Sequence, residues 1–339
     1  MHDNPTDGEA PMRSVDGKVA FVTGGVSGIG LGITYALVNA GMKVAISYQS
    51  KDHLDEAMKV LQHAESRIHA VYLDVTDRAA VAKAAEETAR RFGKVHVLVN
   101  NAGVGPEIPL SSATFDDWDW CMGVNVNGVF NCIRAFLPHI KSHGEGGQVV
   151  ATSSVFGGLV AGAFWGVYCT SKSAIVGMME ALRSELANTN IGVSVFCPGP
   201  VNSDIMQGDR NRPVTFSQVG VPEGDVLVVM QRYFKSVQEA LKDHAGATPM
   251  MDPFEAGKHV LSGIRNNDLY ILSHPEFEQI IRDRLDALLA SIPSAAATEI
   301  PPVRAAFARV ARNLIYVNEL NRRRNVRPTS VKPTVNITT

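Results

Sequence analysis

One junction near the start of the chain restricts its fold more than any other stretch. Residues 18–23 (KVAFVT) form a short apolar run that ends in the turn Thr23-Gly24-Gly25-Val26-Ser27-Gly28-Ile29-Gly30. The glycine spacing is G-x-x-x-G-x-G. A helical pattern opens at once, with Ile29, Ile33, Ala36, Leu37 and Ala40 on one face and Gly41 at its close. Glycines in such a turn let the backbone approach a pyrophosphate, and the helix N-terminus adds free N–H groups and positive potential. Glycine-rich loops are common. One that follows a strand and opens a helix reads as a nucleotide site.

The elements that follow alternate. Apolar runs at 43–47, 68–73, 95–99, 147–152, 192–197 and 269–272 read as strands. Helical patterns occupy 52–64, 77–92, 115–141 and 166–189. Continuously apolar strands need cover on both faces, so the expectation is an α/β fold with a doubly wound parallel sheet. The rhythm breaks after Pro198. Residues 200–252 mix Pro, Gly and short helical stretches. A further helix at 275–291 carries the apolar stripe Phe277, Ile280, Ile281, Leu285, Leu288 and Leu289, and Pro301-Pro302 opens another.

The chain has 339 residues, long for one domain and short for two. We assign the surplus to a disordered leader (1–14), a lid (200–252) within a single domain spanning 15–273, a C-terminal helical extension (274–318) and a mobile tail (319–339). A hydrophobic fraction of 45% with a net charge of −2 excludes general disorder and gives no basic footprint for nucleic acid. No run of 18 apolar residues suggests a membrane span, and the polar N-terminus does not read as a secretory signal. Cys121, Cys132, Cys169 and Cys197 match no redox or zinc spacing and read as apolar fillers, which points to the cytoplasm. His63, His139 and His143 read as surface residues, and no metal site is expected.

Tyr168 and Lys172 stand four residues apart on the 166–189 helix and share a face. A free tyrosine, with a pKa of about 10, is a poor acid or base at neutral pH. A neighbouring lysine cation favours the phenolate, which suits proton exchange with a carbonyl or alcohol oxygen. The pair alone would pass for a surface contact.

Its surroundings decide otherwise. TGGVSGIG at 23–30, NNAG at 100–103, YCTSK at 168–172 and PGPVNS at 198–203 occur in the order seen in short-chain dehydrogenases/reductases, and the chain resembles that family over about its first 270 residues. The resemblance implies a Rossmann fold, a nicotinamide cofactor, a homodimer or homotetramer built on helices 115–141 and 166–189, and the catalytic set Asn125, Ser154, Tyr168 and Lys172. Ser154 lies 14 residues before Tyr168, one more than is usual in the family, which implies an insertion within 155–167 helped by Gly157-Gly158. Ser153 is the alternative. For the cofactor, the resemblance implies Gly24, Ser27, Gly28, Ile29 and Gly30 at the pyrophosphate. It places Asp74 and the Val75 backbone at the adenine, has Asn101 contact the cofactor through its backbone, sets Val201 and Ser203 at the nicotinamide amide, and counts Tyr168 and Lys172 among the cofactor contacts as well. Three stretches, 116–128, 198–213 and 266–293, further resemble bacterial dehydrogenases that oxidise the benzylic Cα alcohol of lignin-derived aryl ethers with NAD.

The tip of the second strand argues for a different cofactor. Tyr48 stands where NAD enzymes carry an acid that binds the ribose 2′-OH, and Ser50 and Lys51 follow, able to hold a 2′-phosphate. NADP(H) is therefore expected over NAD(H). Phe156, Phe164, Trp165 and Met206 are candidate pocket residues for a bulky, aryl ketone or alcohol, with core packing as the alternative for each. Arg210 and Arg212 lie on the expected lid. Two rival functions remain: an NAD-dependent aryl alcohol dehydrogenase and a non-catalytic nucleotide-binding scaffold.

Overall fold

Seven parallel strands form one sheet in the order β3-β2-β1-β4-β5-β6-β7 in the computed structural model, which describes residues 10–162, 164–205, 211–242, 250–293 and 300–326. The central strands β1 (Val19–Val22), β4 (Val97–Asn100), β5 (Gly147–Thr152) and β6 (Ile191–Cys197) are buried at every residue. Their unbroken apolar runs reflect two covered faces. Outside them lie β2 (Lys43–Tyr48) and β3 (Ile68–Tyr72) on one side and β7 (Tyr270–Leu272) on the other. One face is packed by α1 (Gly28–Asn39), α2 (Lys51–Leu61) and α8 (Pro253–Asn266), through Ile33, Leu37, Leu54, Val260 and Ile264. The other is packed by α3 (Arg78–Phe92), α5 (Gly128–Ser142) and α6 (Gly166–Glu185), through Val81, Phe136, Ile175 and Met179.

Strand order reverses at the β1–β4 boundary, where Ala20 pairs with Val97 while Val19 pairs with Lys43 on the other side. In such sheets ligands sit at the carboxyl ends of the strands beside this switch point. The glycine turn follows β1 there, Asp74 follows β3, Asn101 follows β4, Ser153 and Ser154 follow β5, and Pro198–Ser203 follow β6.

Three expectations change. The single helix expected at 115–141 is broken. α4 (Phe115–Met122) ends in a π-helical turn, Gly123–Asn127, before α5 begins. π-turns concentrate at functional sites, and this one carries Asn125. Second, the expected tail starting at 319 is helical in its first part. α11 (Leu314–Val326) places Glu319 at 8% exposure, donates from Arg322 and Arg323 to it, and pairs both arginines with Asp268. Opposite charges distant in sequence anchor what looks locally like a solvated basic run. Residues 327–339 lie outside the described residues. Third, the stripe on α9 (Glu278–Ala290) leaves Leu285, Leu288 and Leu289 about half or more exposed. The segment 200–252 contributes α7 (Gly224–Leu241), and α10 (Pro302–Val310) precedes α11.

Candidate active site

The glycine turn shows why its residues are small. A Cβ at Gly30 would stand 1.9 Å from the Gly24 carbonyl oxygen, so no larger residue fits the first turn of α1. The Gly24 amide donates to Ser47 Oγ at 2.9 Å, tying the turn to β2. Ser27 caps α1 without a side-chain hydrogen bond, and the first turn carries no acid, so the helix opens with its amides and positive potential available to an anion. A Cβ at Gly28 would meet Ser203 Cβ at 2.8 Å, which brings the turn against the 198–203 loop. Asn101 and Ala102 donate backbone N–H groups to Thr23 Oγ1 at 2.8 and 2.9 Å. Val75 is buried beneath Gly128, and Asp74 Oδ1 accepts from the Thr76 amide and hydroxyl at 2.9 and 2.8 Å. Val201 is held by a strand-like bridge to Met251. Backbone, charge and space here fit a dinucleotide laid across the switch point.

At the β2 tip, Tyr48 stacks edge-on with Tyr72 at 5.8 Å. Ser50 caps α2, accepting from the His53 amide at 3.3 Å, and Lys51 pairs with Asp55 one turn on. Both expected phosphate ligands therefore have local structural roles, although an exposed pair like Lys51–Asp55 is weak.

The expected catalytic side chains converge beside this cradle. Lys172 Nζ stands 5.5 Å from the centre of the Tyr168 ring and donates to the Thr152 carbonyl at 2.9 Å. Ser154 stands beside the Tyr168 phenol and favours its ionised form. Ser153, the alternative, instead donates to the Lys172 carbonyl at 2.8 Å and fastens α6 to β5. The extra residue between serine and tyrosine is taken up by a turn at Val155–Leu159, in which Gly157 adopts φ 90° against the Cys169 backbone. Asn125 is fully buried, its Oδ1 accepting from Val104 N and its Nδ2 donating to Val104 O and Ser171 Oγ, all at 2.9 Å. A methyl group at Gly103 would stand 3.2 Å from Asn125 Oδ1 and 3.5 Å from Lys172 Nζ, so the two side chains flank that residue.

Electrostatics departs from the simple expectation. Burial pushes the Tyr168 phenol well above its ordinary value, with Ser154 opposing it, although the residue is only half-buried. Burial brings Lys172 down to about 8, and it forms no ion pair among the described residues. In this geometry Tyr168 holds its proton, as an acid for carbonyl reduction must.

Aromatic rings cluster next to the Ser154 segment. Phe156 meets Trp165 at 6.0 Å and Phe277 at 5.2 Å, edge to face. Phe164, expected to line the pocket, is 6% exposed and packs on Tyr233 and Phe234, so it anchors α7. Met206 and Arg210 lie outside the described residues.

Several contributors escaped the sequence reading. Arg212 is not free to bind substrate. Its guanidinium meets Asp117 at 2.7 Å in a buried ion pair, stacks over Trp120 at 5.0 Å and donates to the Phe216 and Gln218 carbonyls. Asp117 also closes a capping box with Thr114 and accepts from the Gly220 amide. The 212–220 strap is thus latched to α4, the helix that runs into Asn125. Phe277 and His274 sit beneath the 198–200 loop, and Thr152 supplies the carbonyl for Lys172. Outside the site, His96, His143 and Glu145 bring ligand atoms within 4.8 Å of one another, a cluster not foreseen for His143.

The family match agrees with this geometry. Residues 18–213 match the short chain dehydrogenase model, and the chain belongs to that family. It is an oxidoreductase of alcohols and ketones, of a family dependent on NAD or NADP. A C alpha-dehydrogenase of Sphingobium sp. is 31% identical over 282 residues, 83% of this chain and 88% of the relative. A short-chain dehydrogenase from Burkholderia phymatum, solved in complex with NAD, is 30% identical with a TM-score of 0.72, covering 85% of this chain and 99% of that one. Another, from Burkholderia cenocepacia in complex with NADP, is 27% identical with a TM-score of 0.60, covering 76% and 96%. No described helix is long and apolar enough to cross a membrane.

Proposed function

We propose that the protein interconverts a bulky aryl ketone and its secondary alcohol, using NADP(H). The observation that carries this reading is the assembly of Ser154, Tyr168 and Lys172 beside a glycine cradle at the carboxyl edge of the sheet. When bound, the nicotinamide supplies or accepts the hydride. Tyr168 gives its phenolic proton to the carbonyl oxygen in reduction and recovers it in oxidation. Ser154 holds the same oxygen by a hydrogen bond and keeps the phenol oriented. Lys172, held by Thr152, places a cation by the phenolate that forms and offsets its burial cost. Asn125 braces Val104 and Ser171 around that pair. A scaffold without catalysis would have no need of this full set.

The aromatic wall of Phe156, Trp165 and Phe277 supports an aryl substrate. NADP(H) is supported by Tyr48 at the β2 tip, where no carboxylate repels a 2′-phosphate, and by Ser50 and Lys51 at the start of α2. The NAD-dependent Cα-type dehydrogenase is the second reading, favoured by the Sphingobium relative and by the Asp55 partner that occupies Lys51. We also propose a homodimer or homotetramer, supported by Phe115 and Phe130 on α4 and α5, exposed by 88% and 51%. A panel of aryl and aliphatic ketones and alcohols, assayed with NADPH/NADP⁺ and NADH/NAD⁺, tests the reading. Aryl ketones with NADPH should give the highest kcat/KM. Higher efficiency with NADH would select the second reading, and no turnover with either cofactor would remove both.

A further inference from the structure

The loop that follows β6 reads Pro198-Gly199-Pro200, and two of its three residues lack an N–H. Gly199 supplies the single backbone donor of that stretch. Its N–H goes to His274 Nδ1 at 3.0 Å, across 75 residues of sequence. The other ring nitrogen, Nε2, lies 3.1 Å from the Pro200 carbonyl. Because an amide N–H can only donate, Nδ1 accepts and Nε2–H donates to Pro200. His274 is 7% exposed, and the Ser273 hydroxyl lies 2.8 Å from its Nδ1.

The same side chains fill the space above the glycine. A Cβ at Gly199 would lie 2.3 Å from the Phe277 ring and 2.8 Å from the His274 ring. Farther along, the Pro200 carbonyl also accepts from Met251 N at 3.0 Å, and Asn202 N donates to Met251 O at 3.0 Å. The loop is pinned at both ends of a short span, and Val201 and Ser203 come next, with Ser203 against Gly28. On its near side, Val155 N donates to the Pro198 carbonyl at 2.8 Å, which joins the loop to the segment bearing Ser154 and Phe156.

We propose that His274, the first residue of the C-terminal extension, is a positioning residue for the nicotinamide half of the cofactor. This rests on the dinucleotide reading above. His274 clamps the Pro198–Gly199 and Pro200–Val201 peptide groups and so fixes where Val201 and Ser203 stand relative to the glycine turn. The adenine half, held near Asp74 and Val75, lies on the other side of the switch point and gains nothing from the clamp. Loss of the clamp therefore weakens ligands that carry nicotinamide and spares those that lack it.

The test measures dissociation constants of the full-length protein by calorimetry for two ligand pairs: NADPH with 2′-phospho-ADP-ribose, and NADH with ADP-ribose. His274→Leu should weaken the preferred dinucleotide about tenfold and change its nicotinamide-free partner by less than about twofold. His274→Asn, whose carboxamide oxygen can take the Gly199 N–H, should restore most of the loss. Should His274→Leu not fold, His274→Gln, with its acceptor set one bond farther from Gly199, carries the same expectation. Equal weakening of both ligands of a pair, or unchanged dinucleotide affinity, would overturn the proposal. Wild-type protein that bound no dinucleotide would overturn the cofactor reading and this inference with it, whereas selective failure of the His274 variants leaves that reading standing.

Discussion

The two ends of the one parallel sheet treat their buried polar groups in opposite ways. At the amino edge, His96 accepts from the Val19 amide at 3.1 Å and meets Glu145 at 3.0 Å. Lys18 bonds the same carboxylate at 2.8 Å, Lys94 joins it, and His143 hydrogen-bonds the Val95 carbonyl. Lys18, Lys94 and His96 hold the Glu145 carboxyl well below the usual range. Each ring nitrogen has a partner, and two ammonium groups already crowd the carboxylate, which disfavours a cation in the nearby cluster. At the carboxyl edge, Lys172 is buried with a carbonyl for a partner, and half-buried Tyr168 has the Ser154 hydroxyl beside it. Burial is similar for His96 and Lys172, each 3% exposed. Charge compensation is not, and groups left buried without it have shifted protonation that chemistry can use.

The largest way to break this contrast is at Lys172. Lys172→Met should lower turnover on the order of 10²–10⁴-fold, the usual worth of a group that supports proton transfer. By NMR of ¹³C-labelled lysines, one wild-type resonance should titrate near 8 and be missing from that variant. A lysine population with no member titrating near 8 would contradict the uncompensated burial.

A second test concerns the 212–220 strap. Asp117 and Arg212 form a buried ion pair, so their charges are compensated as at the amino edge although they lie near the site. Arg212→Met strands a buried carboxylate and should cost about 3 kcal/mol of unfolding free energy in urea. Adding Asp117→Asn should cost less than the sum of the single changes, through their coupling. Additive losses would show that the two side chains act separately.

The smallest effect is at the amino edge. Burial, foremost, and His143 hold His96 below its ordinary value of 6.5, with Glu145 opposing. A histidine depressed in the folded state is protonated first in the unfolded chain. Stability is therefore full above about 6.5 and falls as pH drops, by at most about 1.4 kcal/mol per pH unit from this group. His96→Gln should flatten that slope in denaturant titrations between pH 7 and pH 5. An unchanged slope would show that His96 does not carry it.

What was readable from the sequence depended on distance along the chain. The glycine turn, Asn125 and the Tyr168–Lys172 pair have local signatures, and the strands announce themselves by unbroken apolar runs. Ser153 and Ser154 differ only in the face of β5 from which each leaves, which spacing alone left open. Arg322 and Arg323 made sense only against Asp268, and His274 only against Gly199, partners that the chain order hides. A buried-strand pattern followed by Ser273-His274, together with a Pro-Gly-Pro loop holding one N–H, was the available signal for the clamp. The π-turn at Asn125 had none, because its apolar pattern continues that of the flanking helices.

The proposed catalysis rests on Tyr168 as the proton donor in a site that binds its cofactor independently of that hydroxyl. Tyr168→Phe, assayed with the best aryl ketone and in parallel by titration of the reduced dinucleotide, measures both at once. Turnover should fall on the order of 10²–10⁴-fold while the dinucleotide dissociation constant stays within about twofold. Turnover within tenfold of wild type would contradict the central claim.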